Sequence, residues 1–452
     1  MSEPLDPDCL GDQSFEDALE PTHLIRRSDA VARAGVMMLG AGTSSLRVRE
    51  LMRRAARSLG LDDFSASIGY TDITLTVGRR GIFRTRVAET TMPGVNAHRI
   101  EQLQRLSLTM PETITATELG ARLDEIEATP RLYPTWLLVI LVALACGSIT
   151  LLTGGAWREI AAVLPASALA YWMHRKLTGW QINHLAVVLT SAFTASALFM
   201  AFTAALDAAL GSGSPRVAAG FICASIFLIP GFPLVTGGLD LTRIDLTAGI
   251  PRIAYAMMVL LAITIGVWLV ASVTGIEPDL VPALGGPAWG VWAASLVASF
   301  LAVFGWAMMF NSPVLVAVTS GVIAVLGNLP RLLMLDAGVA NHVATFVGCV
   351  IIGLFCAAAG RLFSLEKIIM TVPTLLVSIP GSSALRALLY FDDANMELAV
   401  ANAASTVMVV IAMVAGLGTA RMLTDPEWAF TRPDAPSLVS AVRGRVPRWR
   451  RR

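Results

Sequence analysis

The run PTWLLVILVALACGSITLLTGGAW, from Pro134 to Trp157, carries no charged side chain in 24 residues. A helix needs roughly 20 mostly apolar residues to cross the hydrocarbon core of a bilayer, so this run reads as a membrane span. The chain differs on its two sides. Residues 1–133 hold 16 of the 34 Lys+Arg and 19 of the 33 Asp+Glu, an ordinary soluble density. From Pro134 to Arg421 the charges are few and grouped between apolar runs. That asymmetry explains 55 % hydrophobic and only 15 % charged residues overall, against roughly 45–50 % and 25 % in soluble domains. Arg131-Leu132-Tyr133-Pro134 is therefore the expected boundary between a soluble N-terminal domain and a membrane region.

Further apolar runs occupy Ile160–Met173, Ile182–Leu206, Val217–Leu239, Ile253–Ile276, Ala337–Gly360, Ile368–Leu385 and Leu398–Ala420. Leu280–Pro330 is uncharged but too long for one helix; Asn311-Ser312-Pro313 divides it, because Pro disfavours helix at the residue before it. The expectation is about ten transmembrane helices, with both termini on one side. Ser2–Glu20 is acidic and has no apolar leader segment, so the N-terminal domain is expected to stay in the cytoplasm. Arg175, Lys176, Arg243, Arg252, Arg361, Lys367 and the tail Arg443–Arg452 then fall inside. Arg158, Arg216 and Arg331 fall outside, with the acidic Glu277, Asp279, Asp392, Asp393 and Glu397. The Lys/Arg bias agrees with this orientation. The expected organisation is an acidic tail (1–25), a cytoplasmic α+β domain (26–133), two five-helix halves (134–276 and 277–422) and a basic cytoplasmic tail (423–452).

The two halves carry matching sequence. The third span of each begins Asn183-His184-Leu185 and Asn341-His342-Val343, and the fourth contains Ile229-Pro230-Gly231 and Ile379-Pro380-Gly381. An odd number of spans per repeat forces opposite orientations, which predicts a 5+5 inverted repeat. Pro and Gly both interrupt helices. In lipid the freed backbone groups must be satisfied within the protein or by cavity water. Paired breaks at matching positions point to a midplane substrate site.

Candidate substrate-binding residues follow from the breaks: Pro230, Gly231 and Thr236 in the first half, and Pro380, Gly381, Ser382, Ser383 and Arg386 in the second. The hydroxyls could bind an amino group or a carboxylate, or could instead repair the broken helix. Arg386 could pair with a substrate carboxylate or snorkel to the outer face. No carboxylate sits deep in a span, so Asp207, Asp240 and Asp245 at helix mouths, with Arg243, are the candidates for coupling or gating. His184 and His342 read as interfacial caps.

In the N-terminal domain, Ser28-Asp29 is expected to start a helix running to about Leu59. Strands follow at Ser65–Tyr70, Ile73–Val77 and Ile82–Val87, then helices at Asn96–Leu108 and Thr117–Glu127. Walker, GxGxxG and HExxH motifs are absent, and no Ser-His-Asp spacing is credible, so gating, assembly or regulation is expected rather than catalysis. The five cysteines form no CxxC, and no metal or cofactor is expected. No basic stripe with interleaved aromatics points to nucleic acid. The basic tail suits anionic lipid.

These residues together resemble the threonine/serine exporter family of prokaryotes, in its fused two-half form. The likeness is carried by Gly42-Thr43-Ser44-Ser45-Leu46-Arg47-Val48, Ala55–Gly60 and Gly94–Arg99 in the soluble domain. In the membrane region it is carried by Ile229–Asp240 with Gly249 and Arg252, and by Ile379-Pro380-Gly381 with Arg386. Arg49 stands where the family pattern has an acidic residue. The resemblance implies a plasma-membrane exporter of threonine and serine, an antiporter driven by the proton motive force. Alternatives are export of small dicarboxylates such as succinate, or a membrane-anchored sensor. A homo-oligomer is left open.

Overall fold

The computed structural model describes residues 12–90, 94–211, 213–214, 216–276, 288–363, 365–392 and 395–425; of residues 12–21, 288, 382, 385 and 392 only the backbone is described. Glu277, Asp279, Asp393 and both terminal tails lie outside the described residues, as does the side chain of Asp392.

In the N-terminal unit, helix α1 (Asp12–Gly40) buries Leu24, Val31, Ala34 and Met38, spaced along one helical face. The chain does not continue as one helix to Leu59, as the sequence suggested. It turns at Ala41–Ser44 and restarts as α2 (Ser45–Ser58). The reason is Gly42, which takes φ +96° and lies so close to Gly94 that a Cβ would stand 2.6 Å from its carbonyl oxygen. Ser28 does not cap a helix but donates to its own chain at Ile25 O.

Strands β1 (Asp63–Ile68), β2 (Asp72–Arg79) and β3 (Ile82–Glu89) form an antiparallel meander in which Ile68 pairs with Ile73 and Leu75 with Arg86. Central β2 alternates buried Ile73, Leu75 and Val77 with half-buried threonines, the period of a sheet covered on one face. Helix α1 covers β2 and β3, and α2 packs on α1 and β1. Helices α3 (Ala97–Leu108) and α4 (Ala116–Ala128) complete the unit, their first turns capped by Asn96 and Thr115.

Helices stand at each of the ten apolar stretches: α5 (Thr135–Leu152), α6 (Trp157–Gly179), α7 (His184–Leu210), the pair α8 (Val217–Phe221) and α9 (Gly231–Thr242), and α10 (Leu246–Thr274). They continue with α11 (Ala288–Met309), α12 (Val314–Asp336), α13 (Asn341–Leu362), the pair α14 (Lys367–Leu375) and α15 (Gly381–Asp392), and α16 (Met396–Thr424). Among the described residues seven of these are long and apolar enough to cross a membrane, and the first bent pair makes an eighth. The protein is thus a mostly helical, multi-span membrane protein. Helix α6 misses the apolar measure because it runs past the uncharged stretch at both ends and takes in Arg158, Glu159, Arg175 and Lys176.

The two sets of helices pack in the same order. Helix α5 lies on α6, α6 on α7 and α7 on α10; likewise α11 lies on α12, α12 on α13 and α13 on α16. Each third-to-fifth contact is made by a glycine. A Cβ on Gly266 of α10 would stand 2.6 Å from Leu189 O, and one on Gly416 of α16 would stand 2.6 Å from Phe346 O. Small residues let membrane helices approach backbone to backbone. The sets also exchange contacts, with α10 against α15 and α16 against α9.

Candidate functional site

Both Pro-Gly positions break their helices, and in the same way. A 3₁₀ turn, Cys223–Leu228 or Leu376–Ser378, precedes each. Ile229 (φ −59°, ψ 127°) and Ile379 (φ −64°, ψ 131°) are extended. Gly231 N then donates to Ile229 O at 2.8 Å, and Gly381 N to Ile379 O at 2.9 Å. Pro230, at φ −78° and ψ 63°, is the centre of an inverse γ-turn. The next helix starts from the proline carbonyl in each case, with Leu234 N to Pro230 O and Ala384 N to Pro380 O both at 3.1 Å. Proline supplies the fixed φ and lacks the N–H that a continuing helix would use. The first pair bends by 73°.

The breaks lie against one another across a cavity of about 260 Å³. Gly231, Pro380 and Gly381 line it, with Leu376, Thr264 of α10 and Thr406 of α16. A Cβ on Gly231 would collide with Leu376 of the other half. Among the described residues the wall is chiefly apolar and carries no charged side chain; the polar side chains on it are Ser225, Thr264 and Thr406.

The other sequence candidates are placed differently. Thr236 is buried and donates to Phe232 O at 2.7 Å, repairing its own helix; it lines a separate small cavity with Thr43, Tyr70 and Arg252. Ser383 bonds Pro380 O at 3.1 Å and accepts from Thr406 at 3.1 Å. The Ser382 side chain lies outside the described residues. Arg386 is half-buried on α15, off the cavity wall.

Asp240 and Asp245 come together at the end of α9, with Arg243 as the residue that terminates it. Asp240, 1 % exposed, is ion-paired with Arg252, 2 % exposed. Ser45 of the N-terminal unit sits between the two carboxylates, its Oγ 3.0 Å from Asp240 Oδ1 and 2.8 Å from Asp245 Oδ2. Arg49 reaches Asp245 at 3.2 Å. Burial pushes the Asp245 carboxyl up, but hydrogen bonds from Ser45 and Thr247 and the Arg49 charge outweigh it and hold it below the ordinary range. Asp207 does not join this cluster. It lies at the far end of α7, 3.8 Å from Arg158.

Helix α2 reaches the second half as well. Arg47 Nε donates to Glu366 at 3.1 Å, just before α14, while its Nη1 holds Glu50 at 2.7 Å. Ser45, Arg47 and Arg49 therefore contact the near ends of both broken helices. Further fastening comes from the Asn311 turn between α11 and α12: Ala97 N donates to Phe310 O and His98 N to Asn311 O, while the Asn311 amide bonds Asn96 at 2.8 Å. Tyr70 packs on Tyr255, whose hydroxyl lies 2.8 Å from His184 Nε2. His184 is thus a hydrogen-bonding partner of Tyr255; the cap of α7 is Asn183.

Sequence reasoning assigned no role to Ser45, Arg47 or Glu366. The available signal was the polar run Thr43–Arg47 opening an otherwise amphipathic helix. Among the described residues no three His, Cys, Asp or Glu side chains cluster as metal ligands.

Residues 29–274 match a family model described as "Putative threonine/serine exporter", and residues 295–423 match one described as "Threonine/Serine exporter, ThrE". Among curated proteins, the chain is 26 % identical over 246 residues to "Probable succinate transporter subunit YjjP" of Klebsiella aerogenes, covering 54 % of this chain and 93 % of that protein. The Escherichia coli K12 protein of the same name is 26 % identical over 245 residues, with the same coverage. "Pheromone-regulated membrane protein 10" of Yarrowia lipolytica is 22 % identical over 402 residues, 84 % of this chain and 32 % of that protein. No solved structure matches the chain.

Proposed function

The chain belongs to the threonine/serine exporter family, and on that premise we propose that it is a secondary transporter exporting small hydrophilic amino acids, threonine and serine foremost. It works by alternating access across the plasma (inner) membrane and exchanges solute for protons. The observation that carries this reading is the pair of identical helix breaks meeting across one cavity, each contributed by a different half. Matching packing order, matched glycine contacts and reciprocal contacts between α10 and α15 and between α16 and α9 support a 5+5 inverted repeat of ten spans. Such repeats place solute at the midplane between discontinuous helices. Of the residues named from the sequence, Gly231, Pro380 and Gly381 contact solute; Pro230 and Ser383 shape the breaks.

The termini and the N-terminal unit face the cytoplasm. There the unit seals the solute path, because α2 bridges the cytoplasmic ends of both broken helices. Opening inward requires Ser45, Arg47 and Arg49 to release. Ser45 has one hydroxyl hydrogen and two carboxylate acceptors. A proton taken up by Asp240 cancels the charge that pairs with Arg252 and so weakens the cluster through which Ser45 holds the seal, linking proton uptake to its release. Arg252 and Arg49 face the same two carboxylates and set how strongly the proton is held.

Dicarboxylate export is the second reading, favoured by the name of the YjjP relatives. The uncharged cavity wall favours a zwitterion over a dianion, since a buried carboxylate without a counter-charge is costly. Uptake by proteoliposomes with an imposed pH gradient tests the proposal. Labelled threonine and serine should move in exchange for protons. Movement of succinate alone would select the second reading, and movement of none would reject transport of either class.

A further inference from the structure

Arg331 lies on α12, about 25 Å along the helix from the end that meets the N-terminal unit at Asn311. Its guanidinium is held between α12 and α13. Nε donates to Thr345 Oγ1 at 3.2 Å, Nη1 to Asn328 Oδ1 at 3.2 Å and Nη2 to Asn341 Oδ1 at 3.0 Å. Asn328, itself buried, is fixed by donating to Ser299 at 2.9 Å. Gly348 makes room on α13, where a Cβ would stand 3.3 Å from Arg331 Cβ.

All three acceptors are neutral, and among the described residues no carboxylate pairs with this cation. Asp336 on the same helix does not. Of the five guanidinium N–H groups, three are used, leaving one on each Nη. The neighbouring start of α13 is also unsatisfied. Ala340 offers no side-chain cap, and the N–H groups of Asn341 and His342 find no acceptor among the described residues. The equivalent start of α7 is capped by Asn183, which accepts from Leu185 N and Ala186 N. A fixed cation beside the positive end of a helix dipole is unfavourable unless an anion lies between them.

We propose that Arg331 and the first turn of α13 form an oxyanion site that takes one carboxylate or phosphate group. Two free N–H groups on a planar cation suit two oxygens of one group, and the free backbone N–H groups add donors of the kind that bind phosphate at helix starts. Free solute and the headgroup of an anionic lipid offer the same chemistry. This site is separate from the cavity at the breaks, so it stands or falls independently of the transport reading.

The test uses the full chain in maltoside micelles, which contain no phosphate. Thermal unfolding is followed while inorganic phosphate replaces chloride at constant ionic strength, and in a second arm while phosphatidylglycerol is added. The unfolding midpoint should rise saturably in at least one arm, and Arg331→Gln should weaken the apparent affinity at least about tenfold. Ala340→Asp places a carboxylate at the exposed cap position. It should raise the basal midpoint and remove the response, so it decides the matter if Arg331→Gln does not fold. A rise with phosphate identifies a soluble oxyanion, and a rise with phosphatidylglycerol alone identifies the headgroup. No response in either arm, or equal responses in wild type and both variants, would overturn the site.

Discussion

Asp240→Asn should destabilise this protein far more than removal of the neighbouring Arg49–Asp245 pair. Asn keeps the size of Asp; its single amide oxygen can accept from Arg252 while its NH2 donates to Ser45 Oγ, so the substitution chiefly removes the charge. Asp240 and Arg252 are 1 % and 2 % exposed. Removing one partner of a buried pair leaves an uncompensated charge and costs about 3–5 kcal/mol. The Arg49 and Asp245 side chains are 31 % and 15 % exposed, and partly solvated pairs contribute only about 0–1 kcal/mol. The assay is thermal unfolding in micelles of Asp240→Asn, Arg252→Gln, the double variant and Arg49→Gln. The expected order has both buried single variants lowest, Arg49→Gln near wild type, and the double variant above the sum of the two single effects. An Asp240→Asn midpoint equal to that of Arg49→Gln would refute the reasoning, because the ion pair would then not be desolvated.

Glu366→Gln removes the charge from the contact between Arg47 of α2 and the second half, and should expose the linker near Pro134 to proteolysis without lowering the thermal midpoint of the membrane helices; unchanged cleavage would mean that the contacts at Asp240, Asp245, Tyr255 and Asn311 hold the unit without it. Acid should loosen the same interface. The carboxyls of Asp245 and Glu50 are held below their ordinary values, so their contribution is present above about pH 4 and is lost as pH falls through the depressed folded values. The cleavage rate measured against pH should therefore stay flat down to about pH 4 and rise below it. Gly266→Ala and Gly416→Ala should each cost about 1–3 kcal/mol by overpacking, and similar losses of thermal midpoint are expected because the facing carbonyls are equally close. A loss at only one of them would argue against equivalent halves.

The seven long spans and the first bent pair were legible because uncharged runs of about 20 residues have few other uses, and the helix breaks because Pro and Gly act locally. Other features depended on the tertiary fold. The turn at Gly42 needs Gly94, more than fifty residues away, to make a Cβ impossible there. The Ser45–Asp240 contact spans 195 residues, and a serine hydroxyl opening a helix carries no sign of a partner so distant. Thr236 looked like a site residue from its nearness to the break, but a threonine in a helix can bond the carbonyl four residues back, and here it does. Beyond Gly231, Pro380 and Gly381, the apolar cavity wall could not be read, since its other residues come from α10, α16 and the segments on either side of both breaks. Arg49, which departs from the family pattern, has a partner in Asp245 that only the fold reveals.

The account stands most directly on counterflow of labelled threonine in proteoliposomes containing wild type, Gly231→Leu or Gly381→Leu protein. A side chain added at Gly381 enters the cavity, and one at Gly231 displaces Leu376 on the facing wall, so the wild type should exchange threonine and both variants should fold yet lose exchange. Undiminished counterflow in both variants would contradict a solute site at the breaks.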